Sequence, residues 1–149
     1  MKCGELCTRD VAIATERDNI ADVAKLMREL HVGSVVITRD DAGRKVPVGI
    51  ITDRDIVVEL VAKGVSAETC MAGDIISRKL LTISDDASVW DALTRMRAEG
   101  VRRLPVVDKQ SALVGILAAD DLIEFVRDQV TQLTALIRRE QNTETRQRR

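Results

Sequence analysis

Two hydrophobic periods alternate along this chain. Val48, Ile50 and Ile51 form a short apolar run of strand length. The polar residues Thr52, Asp53 and Asp55 follow at once. Thr52 is a good N-cap, and the two carboxylates put negative charge into a first helical turn. A polar cluster is therefore expected where a strand hands over to a helix, and the free N–H groups there suit a ligand. Elsewhere the helical period takes over. Ile20, Val23, Ala24 and Met27 fall at i, i+3, i+4 and i+7, and Val89, Ala92, Leu93 and Met96 do the same. Asp18 or Asn19 is the expected cap of the first of these helices and Ser88 of the second, with Gly100 just past the second helix's end. Short strands are expected at residues 11–14, 35–38 and 48–51, and again at 80–83, 104–107 and 113–117. A further helix follows each set, over residues 56–62 up to Gly64, and from Leu122 onward.

The two halves read as copies. At one constant spacing Gly4 recurs as Gly73, Arg9 as Arg78, Ile20 as Val89, Asp22 as Asp91, Met27 as Met96 and Val32 as Val101. After the next loop a slightly shorter spacing pairs Gly49 with Gly115 and Asp55 with Asp121. The first copy is thus expected to carry a longer loop near residues 39–46, turning at Asp40-Asp41-Ala42-Gly43. Each copy has the order β-α-β-β-α. A unit of about 60 residues buries too little surface to be comfortable alone. Two such units packed sheet to sheet, about a pseudo-two-fold axis, bury both apolar faces. The fold class is α+β. The copies span residues 4–64 and 73–127, joined by a linker at 65–72. Residues 128–149 form a helix extension and a tail.

Ile123, Val126, Val130, Leu133 and Ile137 step by three and four, a short heptad-like seam. It suits either packing on its own domain or a dimer contact. Beyond Glu140 the Gln, Asn, Thr and Arg content predicts disorder, with Arg146, Arg148 and Arg149 as a solvated end.

Composition narrows the function. The formal net charge of −1 argues against a nucleic-acid binder that works by bulk charge. Trp90 and Phe125 are the only aromatic residues, so a base-stacking surface for single strands is not expected. No apolar run is long enough for a membrane span, and no signal peptide is expected. Three cysteines read as reduced thiols of a cytoplasmic protein.

The repeat carries a resemblance. Two β-α-β-β-α copies, with Gly49-Ile50-Ile51-Thr52-Asp53-Arg54-Asp55 in the first and Gly115-Ile116-Leu117-Ala118-Ala119-Asp120-Asp121 in the second, look like a pair of CBS motifs, a Bateman module. The resemblance covers residues 4–126 and implies a regulatory adenosine nucleotide or related adenosyl ligand between the copies: AMP, ADP, ATP, adenosyl-methionine or NAD. It implies that Asp55 holds ribose hydroxyls, that Thr52 contacts ribose or phosphate, and that Val11, Ile13 and Ala14 flank the base. A cation from the opposite copy then reaches the phosphates. Arg103 is the leading choice, beside Arg102, and Arg54 is a further phosphate contact. An ionised carboxylate is acceptor-only and so suits vicinal hydroxyls. Copy two keeps Asp121, but Ala118 stands where the hydroxyl residue belongs, and its facing residue is Ser34. The family commonly forms a flat dimer of two pairs, so a homodimer is expected.

Other residues suggest no chemistry. His31, the single histidine, follows a helix, where a cation suits the dipole. Cys3 and Cys7 are four apart, a spacing that fits a one-turn redox or metal pair, yet no third or fourth ligand stands nearby. Cys70 is expected to be inert. With no nucleophile–base pair and no metal cluster, the expected protein is a non-enzymatic regulator of an unidentified partner protein, requiring no cofactor. The alternative is a ligand-free dimeric interaction scaffold.

Overall fold

The computed structural model describes residues 1–76 and 79–148. Arg78, the repeat partner of Arg9, and Arg149 lie outside the described residues. The first half contains α1 (Cys3–Leu6), β1 (Ile13–Thr15), α2 (Ile20–Leu30), β2 (Ser34–Asp41), β3 (Arg44–Thr52) and α3 (Asp53–Ile56), the last continuing as a π-helical stretch, Val57–Val61. The second half contains α4 (Ala72–Ile75), β4 (Ile83–Ser84), α5 (Val89–Glu99), β5 (Arg103–Val107), β6 (Leu113–Ala118) and α6 (Ala119–Gln147). Each half builds a three-stranded sheet, ordered β1-β2-β3 and β4-β5-β6. In both, the outer pair is parallel and the hairpin pair antiparallel. The expected β-α-β-β-α order is present twice.

The helix starts follow from their caps. Asn19 Oδ1 accepts from Asp22 N–H at 2.8 Å, so Asn19 caps α2, while Asp18 instead accepts from Thr15 N–H. Ser88 Oγ accepts from Trp90 N–H at the start of α5. His31 ends α2 with a left-handed backbone, φ 54°, the place Gly100 takes after α5.

Each sheet has a helix-covered face and a face turned to the other sheet. Val35, Ile37 and Ile51 join Ile20, Val23, Met27 and Leu60 in one core. Leu104, Val106 and Leu117 join Val89, Ala92 and Met96 in a second core. Val36 is fully buried yet belongs to neither core, as expected on the opposite face of its strand. The two sheets meet through β3 and β6.

The packing units are not the sequence copies. Cys3 and Cys7, at the ends of α1, are buried in the second core. Cys70 and Ala72 are buried in the first core. Each core therefore includes a segment that precedes the other copy in sequence. Hydrogen bonds fix the crossings: Thr8 exchanges two backbone bonds of 2.9 Å with Ile116, and Ala72 N–H donates to Asp18 O at 2.7 Å.

Two expectations are corrected. The longer loop near residues 39–46 is instead an extended hairpin, with Asp41 paired to Arg44. Ala42 and Gly43 both take positive φ, 52° and 82°, a two-residue turn whose twist matches its strands. Asp40 Oδ1 accepts Gly43 N–H and braces it. The tail beyond Glu140 is helical to Gln147. It contains neither Gly nor Pro, and the Thr143 and Thr145 hydroxyls donate to carbonyls one turn back.

The glycines of the two motifs are packing residues. A Cβ on Gly115 would stand 2.6 Å from Cys7 Sγ and 2.7 Å from Thr8 O. A Cβ on Gly49 would stand 2.2 Å from Ile76 Cγ2, but its neighbours are side-chain atoms only. Overpacking costs about 1–3 kcal/mol when neighbours are fixed. Gly115→Ala is therefore expected to lower the urea midpoint more than Gly49→Ala, because a backbone oxygen cannot turn aside as Ile76 can. Equal shifts for the two variants would contradict that account.

Candidate functional site

β3 runs directly into α3, and Thr52 is the junction. Its Oγ1 accepts from Asp55 N–H at 3.1 Å, and Asp55 Oδ2 accepts from Thr52 N–H at 2.8 Å. Together they make a reciprocal capping box. Capping therefore accounts for both residues, not just one, although each keeps spare capacity. A carboxylate has a second oxygen, and a threonine hydroxyl has a proton to give. Both residues are half-buried. Asp53 N–H donates to Gly33 O at 3.0 Å, which ties the motif to the loop after α2.

The cross-copy cation comes to this place. A Cβ on Gly33 would lie 3.3 Å from Asp53 Oδ2 and 3.7 Å from Arg103 Nη2. Arg103 starts β5 of the second half, where its backbone pairs with Ala118. Its side chain thus reaches the first half, within ordinary contact distance of the place a Cβ on Gly33 would take. Arg102 behaves differently. It is exposed, and its guanidinium pairs with Asp120 at 3.3 Å, within its own half. Arg54 is exposed on the first turn of α3.

The apolar residues separate by strand parity. Ile13 pairs with Val36, which pairs with Ile50, so the three share the face turned to the other sheet. Ile13 is 38% exposed there, an apolar side chain left partly uncovered. Val11 is half-buried just ahead of β1. Ala14 packs against the first core, so its side chain lies on the helix side and only its main chain faces the same way as Ile13. Gly33 and Asp53 belong to this group of residues, although the sequence reading gave neither a ligand contact. Their signal is the loop after α2, whose counterpart in copy two is the Val101-Arg102 step.

The second motif repeats the frame with fewer groups. Asp121 Oδ2 accepts Ala118 N–H at 2.7 Å, and Ala119 N–H donates to Arg102 O at 2.8 Å. Ala118 brings no hydroxyl. Ser34, the counterpart of Arg103, is paired opposite Thr52 and brings no cation.

The cysteines are structural. Burial pushes the Cys3 thiol up to about 11, aided by the nearby Asp91 charge, and burial also raises Cys7 and Cys70. Among the described residues no cluster of three or more His, Cys, Asp or Glu is placed to hold a metal. The thiolate is the reactive form, and at pH 8 a thiol of pKa about 11 is thiolate roughly one part in a thousand. Cys3 is thus expected to resist a maleimide at pH 8 in the native chain and to react at once in urea. Rapid labelling of native Cys3 would refute its assignment to the core.

No helix among the described residues is long and apolar enough to cross a membrane. The family model for the CBS domain matches residues 3–62 and 72–128. An uncharacterised protein of Methanopyrus kandleri is 36% identical over 121 residues, which cover 81% of this chain and 60% of that protein. The CBS domain-containing protein YhcV of Bacillus subtilis is 34% identical over 115 residues, covering 77% of this chain and 78% of that one. Among solved structures, a CBS domain protein of Pyrobaculum aerophilum complexed with AMP superposes with a TM-score of 0.74 at 30% identity, covering 82% of this chain and 90% of that one. With both motifs matched, and with the sheets and helices to go with them, this chain belongs to the CBS-domain family as a tandem pair.

Proposed function

We propose that this chain is a regulatory protein that binds an adenosine nucleotide or related adenosyl ligand between its two motifs. The observation that supports this most is Arg103, a cation from the second motif standing beside Gly33 and Asp53 at the turn that carries Thr52 and Asp55. A ligand spanning ribose and phosphate would use both halves at once. Asp55, with one oxygen already on Thr52 N–H, would offer the other to the ribose hydroxyls. Charge-assisted bonds of this kind contribute about 1.5–3 kcal/mol each. Arg103 and the free N–H groups of the first turn would take phosphate, with Arg54 at the rim. Ile13 and Val11 would flank the base, with Ala14 contributing main chain. The AMP complex of the Pyrobaculum relative supports the ligand class.

Regulation would follow from linkage. A ligand held by both halves stabilises whichever arrangement presents both half-sites, and that arrangement then favours or disfavours a partner protein. The role is regulatory rather than catalytic, in a homodimer.

The two clefts are unequal in this reading. The second has Asp121 but lacks both a hydroxyl at Ala118 and a cation at Ser34. One lost hydroxyl contact costs about 0.5–1.5 kcal/mol and one lost charged contact about 1.5–3 kcal/mol. Together these amount to roughly 30- to 2000-fold in affinity. One tight ligand per chain is therefore expected.

The exposed apolar residues Val57, Val58 and Val61 on the π-helical stretch favour a second reading, a ligand-free interaction scaffold. A thermal-shift panel of AMP, ADP, ATP, adenosyl-methionine and NAD separates the two. At a hundredfold excess over Kd a ligand adds about 2.7 kcal/mol, which is roughly 5–11 °C for a chain of this size. Flat curves throughout would favour the scaffold.

For a ligand found that way, calorimetry tests the residues. Asp55→Asn keeps an acceptor for the cap and is expected to weaken binding by about ten- to a hundredfold. Asp121→Asn, the same change in the other cap, is expected to leave the tight site intact. Arg103→Ala is expected to weaken AMP far more than adenosine. Two equal sites per chain, or equal losses for AMP and adenosine in that variant, would refute the assignment.

A further inference from the structure

Gly33 is a glycine that the backbone does not require. Its φ lies outside the left-handed region, and the same place in the second copy is taken by an arginine, Arg102. The three atoms nearest to a Cβ at Gly33 all belong to side chains: Asp53 Oδ2 at 3.3 Å, and Asp53 Cγ and Arg103 Nη2 at 3.7 Å. The missing side chain therefore leaves a space between a carboxylate and a guanidinium. Laid end to end, the two distances put Oδ2 and Nη2 at most about 7 Å apart. Among the described residues neither group is in an ion pair.

The carboxylate is held in place although Asp53 is exposed. Its backbone N–H donates to Gly33 O at 3.0 Å, and its Oδ1 accepts from Arg54 N–H at 2.8 Å. Oδ2 is left to face the space. Arg54 is exposed on the same turn and is in no ion pair among the described residues. A long side chain in water gives up rotamer freedom to hold a contact, so Arg54 offsets a fixed carboxylate only weakly. The second motif has no such pair of opposite charges. Ala119 stands at the place of Asp53, and Ser34 at that of Arg103.

The opposed charges set a limit on the ligand's own charge. A nucleotide with its ribose at Asp55 turns its 5′ end toward Arg103, where one phosphate meets one guanidinium. Each further phosphate adds negative charge within reach of Asp53, with no second fixed cation to meet it. We infer that Asp53 is a specificity-determining residue, which restricts the first cleft to adenosyl ligands with a single phosphate and disfavours di- and triphosphates. This rests on the nucleotide reading of the cleft and adds to it a choice among nucleotides.

Calorimetry with AMP, ADP and ATP in EDTA, on the native chain and on Asp53→Asn, tests the choice. Asparagine keeps the shape of aspartate and an acceptor for Arg54 N–H, and Asp53 lies outside both cores. In the native chain AMP is expected to bind about tenfold tighter than ATP, with ADP between them. In Asp53→Asn that preference is expected to shrink by at least about fivefold, through a gain for ATP. ATP bound as tightly as AMP by the native chain would overturn the inference, whatever the variant does. A preference that survives in Asp53→Asn would also overturn it, because exclusion by size does not depend on the carboxylate's charge. The series is repeated with magnesium. If magnesium made ATP the tighter ligand of the native chain and Asp53→Asn removed that gain, Asp53 would be a metal ligand and the inference would fall. No binding of any of the three to either chain would overturn the nucleotide reading and this inference together, whereas binding with an unaltered preference overturns this inference alone.

Discussion

The structure depends on one packing constraint, the crossing of segments between the two halves. α1 and the residues after it pass over β6, where Cys7 and Thr8 lie against Gly115. On the other side Ile76, just after α4, lies against Gly49 of β3. A Cβ on Gly115 would meet the Thr8 backbone, while one on Gly49 would require Ile76 to turn aside. The crossing segments then bury Cys3 and Cys7 in one core and Cys70 and Ala72 in the other. Neither half has a complete core of its own without a segment that belongs to the other by sequence. That arrangement fixes the relative position of β3 and β6, and with it the position of Arg103 against Asp53.

The same glycines serve the site indirectly. Gly49 and Gly115 open the two motifs whose far ends carry Thr52, Asp55 and Asp121. A strand held close against a crossing segment at one end has little freedom at the other. The turn into α3 is further held by the capping box and by the Asp53 to Gly33 bond. For the proposed ligand, such a frame would reduce the ordering cost of binding. The second motif keeps one of the two capping bonds, with Asp121 on Ala118 N–H and no hydroxyl at Ala118 to accept in return. The two turns therefore differ both in the groups they present and in how fully they are capped.

In the proposed function, capping and ligand recognition would share the same atoms. Thr52 and Asp55 satisfy one another through the capping box, and no buried side-chain polar atom among the described residues is left without a partner. Arg103 is half-buried beside Gly33 and makes no ion pair or side-chain hydrogen bond among the described residues, so its guanidinium keeps its donors available.

Much of this was legible in the chain itself. The two periods of Ile20–Met27 and Val48–Ile51 are local, and local periodicity fixes element type. The repeat of Gly49-to-Asp55 as Gly115-to-Asp121 revealed the pairing of halves, and the two arginines after Val101 pointed to a cation that the fold brings beside Gly33. Sequence favoured Arg103 over Arg102, but neighbours on a strand point opposite ways, and which one reaches the other half rests on how β5 sits against it. It could not show that Ala14 faces the core while Ile13 faces the other sheet, since strand parity there is set by pairing with Val36 and Ile37. It assigned residues 39–46 to a longer loop because the repeat spacing shortens there, whereas the length of the hairpin flanking the Ala42-Gly43 turn is decided by cross-strand bonds. Above all, it placed α1 with the copy it precedes. Which core receives Cys3 and Cys7 is a long-range packing question, settled by the space that Gly115 leaves, and no local pattern encodes it.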